Sequence, residues 1–320
     1  MKYLFDFKQI SNYKFTLIFT VLIVDIAINI FKKERIVENS SANFQMEFDN
    51  IEEFDKEILL PIQTKLEGYI EINKDEQMFL NGLIRKVKPK KIVEIGVAFG
   101  GTAVIILNAI KDIKEAKLFS FDISKNCYKL HSKETGFIVK EKFPELINKW
   151  EINTGGLTCE FIEKIGNNID LVYIDTVHVT PGEMLNWLEI LPFLKEEAFV
   201  VLHDTFFMYI KNRIGKQIHN YSNNQILCYI RGELILPSYS NNTFSRNIGA
   251  LKLNKNQKQY YYQYFLALGT QWHYLPPNKH LITLKGFFKK HYGEKYVKIF
   301  DDAMEKNKLR FQKNNMTKNL

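Results

Sequence analysis

Ile92-Val93-Glu94-Ile95-Gly96-Val97-Ala98-Phe99-Gly100-Gly101-Thr102 decides how this chain folds. It reads as an apolar strand ending in an acid, then a glycine turn, then the start of a helix. Gly96 and Gly100 lack a Cβ, so they can take positive φ and leave room for a ligand against the backbone. Amide donors at the head of the following helix can face a carboxylate or a phosphate. The spacing is Glu-x-Gly-x-x-x-Gly, with Ala98 where a three-glycine dinucleotide motif has its middle glycine. Many α/β proteins use such a turn, so its meaning depends on its surroundings.

Outward from the turn, strand and helix alternate. Residues 75–87 have helical spacing, and Pro89 ends that helix because proline disfavours helix at the preceding residue. Strands are predicted over 92–95, 117–123, 150–153, 171–175 and 198–203. Helices are predicted over 102–113, 125–133, 157–165 and 182–194. Short apolar strands between helices imply a parallel sheet covered on both faces. Right-handed crossovers then bring the strand C-termini to one edge, where ligands bind. Residues 226–230 and 248–253 read as two further strands around the polar stretch 238–247, the last one antiparallel. The tail carries Tyr260-Tyr261-Tyr262-Gln263-Tyr264-Phe265, a Pro276-Pro277 break and a helix over 281–306. The expected fold class is therefore α/β. It comprises a Rossmann-like, doubly wound, mostly parallel sheet, an N-terminal apolar helix and a C-terminal helical extension. The expected division is 1–44, 45–254 and 255–320.

The 320 residues suffice for a substantial core, and the net charge is +8. That charge allows an anionic partner, but the simpler reading is a solvated lysine-rich surface. No zinc-finger or RNA-recognition spacing supports nucleic acid. Cys127, Cys159 and Cys228 are widely spaced and odd in number, as expected of reduced thiols in a cytosolic protein. Residues 15–31, FTLIFTVLIVDIAINIF, lie near the lower length limit for a membrane span, and Asp25 and Asn29 are unfavourable near a bilayer centre. A membrane anchor, an interfacial helix and a buried helix all remain open. The catalytic part is expected in the cytoplasm, with contact to the inner membrane face open. The aromatic tail fits helix packing or a homodimer surface.

Five features meet at the predicted sheet edge. The glycine turn is the first. Asp122 ends the second strand, where an acid can accept both ribose hydroxyls or cap a helix, a role for which Ser124 competes. Asn153-Thr154-Gly155-Gly156 makes a turn after the third strand. Asp175-Thr176-Val177-His178 and His203-Asp204-Thr205 follow two apolar strands. Two carboxylates side by side in oxygen-rich surroundings suit a hard cation such as Mg²⁺. His178 and His203 are alternatives as softer metal ligands or as proton acceptors near neutral pH. Trp272, His273 and Tyr274 are candidate wall residues, with burial in the core as the competing reading.

From about Glu67 to Leu253 these residues resemble class I S-adenosylmethionine-dependent methyltransferases. The similarity is closest to the catechol O-methyltransferase-like group and its bacterial sugar-methylating relatives. The run Glu94 to Ala103 looks like the group's first motif. By that resemblance Gly96 and Gly100 lie against the cofactor's methionine part, Thr102 helps hold its carboxylate, Glu94 is a cofactor-binding residue of the same motif, Asp122 binds the ribose, and Gly155 lies near the adenine. Asp175 and Asp204 match the metal carboxylates of the metal-dependent members. Thr205 stands where an Asn or Asp completes the metal set. His178, three residues after Asp175, takes the place of a catalytic lysine and is the implied general base, with Asp175 beside it. The implied chemistry is O-methylation of a hydroxylated small molecule or glycan, with S-adenosylmethionine as cofactor and Mg²⁺ as an optional one. An NAD-dependent oxidoreductase is the rival enzyme reading, and a non-catalytic binding module is the third.

Overall fold

The computed structural model describes residues 44, 47–205, 229–238 and 247–317. Short, nearly unbroken apolar strands build its centre. Seven strands pair in the order β3-β2-β1-β4-β5-β7-β6. They are β1 (Lys91–Ile95), β2 (Lys117–Asp122), β3 (Trp150–Thr154), β4 (Ile169–Ile174), β5 (Leu194–His203), β6 (Gly232–Ile235) and β7 (Ile248–Leu253). β1 to β5 run parallel, and β7 is antiparallel to both β5 and β6. This is the mostly parallel, doubly wound sheet expected from the sequence. β1 lies between β2 and β4, so the chain changes direction across the sheet there and opens a crevice above the strand ends.

Nine α-helices accompany the sheet in the described residues: α1 (Lys56–Leu66), α2 (Lys74–Val87), α3 (Gly101–Ile110), α4 (Phe137–Lys142), α5 (Thr158–Ile165), α6 (Gly182–Ile190), α7 (Tyr261–Ala267), α8 (Asn278–His291) and α9 (Glu294–Thr317). α2 starts on a capping box. The Asn73 side chain accepts from the amides of Asp75 and Glu76, and Glu76 accepts from the Asn73 amide. One sheet face packs Val93, Ile95, Val172, Ile174, Val200 and Leu202 into a core shared with Trp187 of α6 and with Phe265, Phe288 and Phe300 of the C-terminal helices. The tail thus completes the main core. Tyr261, Tyr264 and Phe265 are buried and Tyr262 is the one largely exposed aromatic ring of that run, so most of the aromatic stripe serves helix packing. The described residues from Phe48 onward form one compact unit.

Several predicted elements differ. Residues 125–133 are not a helix: Cys127 N donates to Lys133 O, Thr135 N to Lys125 O, and Asn126 bridges Glu134, so the segment folds back as a loop. The helix forms later, as α4, behind Gly136 at φ 76°. The helix predicted over 182–194 stops at Ile190, because Pro192 admits only a short 3₁₀ turn, and Leu194 already belongs to β5. The strand predicted over 226–230 falls partly outside the described residues, and Tyr229 and Ile230 are not strand; β6 lies further on. The predicted helix 281–306 is two helices broken at Gly293, φ +93°. Cys127 and Cys159 are buried free thiols, and Cys228 lies outside the described residues. So does 15–31; among the described residues no helix is long and apolar enough to cross a membrane.

Candidate active site

The glycine turn after β1 is pinned from both sides. Gly96 sits at φ +92° and donates its amide to Phe121 O at 2.9 Å. A Cβ added there would lie 1.8 Å from the carbonyl oxygen of Asp175. Gly100, φ +94°, faces Gly136, whose Cα would stand 2.9 Å from an added Cβ. Asp122 resolves its two readings in an unforeseen way. Its Oδ2 accepts from the amides of Val97 and Ala98 at 2.9 and 3.3 Å, and its Oδ1 from Ser124 N at 2.8 Å. The acid therefore braces the turn and puts negative charge against it.

Glu94 is fully buried below the turn. Ser120 Oγ donates to it at 2.6 Å and receives Trp150 Nε1 at 2.8 Å. Burial pushes the Glu94 carboxyl up to about 8, against the hydrogen bond from Ser120.

At the ends of β4 and β5, Asp175, His178 and Asp204 come together. His178 Nε2 lies 2.9 Å from Asp204 Oδ2 and 3.4 Å from Asp175 Oδ1. One donor atom from each of the three lies within 4.8 Å of the others, a spacing that fits a single cation. Ala98, His178 and Asp204 all hold positive φ, at 50°, 53° and 53°, the backbone strain that gathers at ligand sites. Burial opposes charge on His178, but hydrogen bonds to Asp204 and Glu183 outweigh it and raise the ring to about 10. Burial also works against the charge on Asp175, yet the His203 and His178 charges hold its carboxyl below the usual range.

These groups open into one cavity of about 1100 Å³. That exceeds the ~300–1,000 Å³ usual for a single small ligand. Gly96, Thr102, Asp122, Asp175, His178 and Asp204 line it. Glu94, Gly100, Gly155 and Thr205 do not: Gly156 lines the cavity in place of Gly155, and the Thr205 amide donates to Asn247 O. Of the proposed wall residues Tyr274 lines the cavity, whereas Trp272 is core and His273 meets Thr180.

Supporting residues went unread in the sequence. Glu183, fully buried at the start of α6, accepts from the His178 amide and lies 3.3 Å from His178 Nδ1. Glu76 stands 3.4 Å from His203 Nε2, and His203 Nδ1 is 3.2 Å from Asp175 Oδ2. Tyr173 donates to Asp175 Oδ2 at 3.1 Å, and Asn247 to Asp204. An acid in the first turn of a mostly apolar helix was a readable signal for Glu183. The link from Glu76 to His203 spans 127 positions and left no local trace.

Residues 93–205 match the family model described as a methyltransferase domain. The match runs from β1 through Asp175, His178 and Asp204. Among solved structures, the chain is similar to an O-methyltransferase from Streptomyces achromogenes involved in tomaymycin synthesis, in complex with S-adenosylmethionine. That pair shares 12% identity over 62% of this chain and 89% of the other, with a TM-score of 0.44. An O-methyltransferase from Bacillus cereus in complex with S-adenosylhomocysteine gives the same values: 12%, 62%, 89% and 0.44. A methyltransferase from Podospora anserina bound to S-adenosylhomocysteine gives 13% identity over 63% and 97%, with a TM-score of 0.41. No curated protein matches the sequence significantly. These likenesses are distant, and the site is read from its own residues.

Proposed function

We propose that this chain is an S-adenosylmethionine-dependent O-methyltransferase acting on a hydroxylated small molecule or a glycan sugar. The observation that carries the reading is the position of Asp122. A dinucleotide would bring the negative charge of its pyrophosphate to the glycine turn and the helix head behind it. Here Asp122 already occupies the amides of Val97 and Ala98, and its charge would repel a phosphate. The described cavity lining holds Glu71, Asp122, Asp175, Glu189 and Asp204 against Lys129 and the His178 and His203 rings, an excess of acid. That balance suits a cationic sulfonium and disfavours the NAD-dependent alternative. The strained carboxylate–imidazole cluster in the same cavity argues against a non-catalytic module.

S-adenosylmethionine supplies an activated methyl group, so the protein's task is alignment of acceptor, methyl and sulfur. Gly96 and Thr102 form the floor beside the methionine part, and Asp122 Oδ1 keeps acceptor capacity for a ribose hydroxyl. Asp175 and Asp204 are the residues to hold a divalent cation, and their charge and spacing fit one. Such a cation would orient the acceptor oxygen, lower its pKa and neutralise the charge that keeps a proton on His178. His178 then stands where the acceptor's proton must go. Glu183 fixes the ring from behind.

The test is methyl transfer from radiolabelled S-adenosylmethionine to a panel of hydroxylated glycans and phenols. Asp175→Ala and Asp204→Ala should each abolish turnover and leave cofactor binding within a few-fold. Full activity in both would overturn the cation role. Transfer to no hydroxylated acceptor would overturn the O-methylation reading.

A further inference from the structure

Two loops form part of the cavity wall, and neither has been given a role in methyl transfer. The first joins α1 to α2 and contributes Tyr69, Ile70 and Glu71. The second joins β2 to α4 and contributes Asn126, Tyr128 and Lys129.

Both are rooted on the glycine turn. A Cβ on Gly101 would lie 2.4 Å from Tyr69 O and 2.7 Å from Ile70 Cβ, so the first loop rests on the head of α3. Gly136 N donates to Ala98 O at 2.9 Å and Ile138 N to Phe99 O at 3.3 Å, which ties the end of the second loop to the same turn. An aromatic base joins them: the Tyr69, Phe99 and Phe137 rings meet edge to face with centroids 6.1 to 6.2 Å apart. Lys142 Nζ sits 3.7 Å over the Tyr69 ring.

Above that base, the loops are joined by one carboxylate. Glu71 Oε1 accepts from Tyr128 Oη at 2.6 Å and also pairs with Lys129 Nζ. Lys129 lies 5.8 Å over the Phe99 ring. Burial and Glu71 together raise the Tyr128 phenol, so it stays a proton donor throughout the working range of pH. A lone exposed ion pair contributes little. Here two donors converge on one oxygen and one of them is a phenol, the charge-assisted arrangement that binds more strongly.

We propose that Glu71, through Tyr128 and Lys129, clasps these two loops across the cavity and sets the rate at which the bound cofactor leaves. The proposal rests on the cofactor reading above. On that reading the methionine part lies at the turn on which both loops rest, and parting the loops would widen its way out. The clasp adds no contact to the reacting atoms, and Glu71 and Tyr128 are positioning residues.

The experiment is release of tritiated S-adenosylhomocysteine from the full chain, chased with unlabelled ligand, for wild type, Glu71→Gln, Tyr128→Phe and the double variant. Each single variant should release the ligand faster by about ten-fold. The double variant should be little faster than the singles, because all three cut the same junction. Release within two-fold of wild type in both singles overturns the proposal. Amide hydrogen exchange without ligand is the second readout: residues 67–73 and 123–136 should exchange faster in Glu71→Gln while the β-sheet does not. Unchanged exchange there overturns the clasp even if the ligand binds. Wild-type protein that takes up no S-adenosylhomocysteine defeats the cofactor reading and this role with it; normal binding with unchanged release defeats the clasp alone.

Discussion

Replacing Gly96 by alanine should damage stability and site together. Its φ of +92° is strained for any residue with a Cβ, at roughly 1–3 kcal/mol. The new methyl would sit 1.8 Å from the carbonyl oxygen of Asp175, which is backbone and moves only with β4. Overpacking of that kind costs about 1–3 kcal/mol more. A total of roughly 2–6 kcal/mol corresponds to a loss of about 5–20 °C in melting temperature for a unit of this size. The displaced atoms belong to Asp175, whose amide donates to Ile95 O at 3.0 Å, so cofactor and cation affinity should fall as well. Gly68→Ala is the control. Gly68 also has positive φ, +80°, but nothing lies within 4 Å of an added Cβ. It should cost only about 1–2 kcal/mol and leave the site intact. Thermal melts and calorimetric titration with S-adenosylhomocysteine provide the assay. A Gly96→Ala protein melting within about 2 °C of wild type would refute the reasoning, as would equal losses at both glycines.

Other expectations concern charge and helix propensity. Because Glu94 titrates near 8 in the folded chain, above its unfolded value, the folded form holds the extra proton. Stability from this group is complete below the unfolded carboxyl range and is lost as pH rises to about 8. Glu94→Gln keeps an acceptor for Ser120 and should flatten that decline, seen as melting temperatures that converge with wild type at acid pH and exceed it above neutrality. Gly286 lies exposed within α8 with open space around it, so Gly286→Ala should stabilise by up to about 1 kcal/mol in urea titrations.

Strand ends were legible where burial dictated composition. Leu171-Val172-Tyr173-Ile174 and Phe199-Val200-Val201-Leu202 are covered on both faces, so they read as unbroken apolar runs, and the acid after each marks the edge. Residues 125–133 misled because the loop is closed by long-range pairs such as Thr135 N to Lys125 O, which carry no helical period. The site was half legible. Asp175, His178 and Asp204 follow strands and could be placed by topology. Their holders come from other layers: Glu76 is the last residue of a capping box on α2, and nothing in its neighbourhood announces His203. The bracing role of Asp122 was hidden because either a ribose or a turn satisfies the same carboxylate. Residues 1–43, with the apolar stretch 15–31, lie outside the described residues.

The most direct measurement of the central claim is isothermal titration of the full chain with S-adenosylmethionine, S-adenosylhomocysteine and NAD, with and without Mg²⁺. The account predicts micromolar binding of both adenosyl ligands and none of NAD, since the Asp122 carboxylate held against the turn would repel a pyrophosphate. Binding of NAD, or of none of the three, would contradict it.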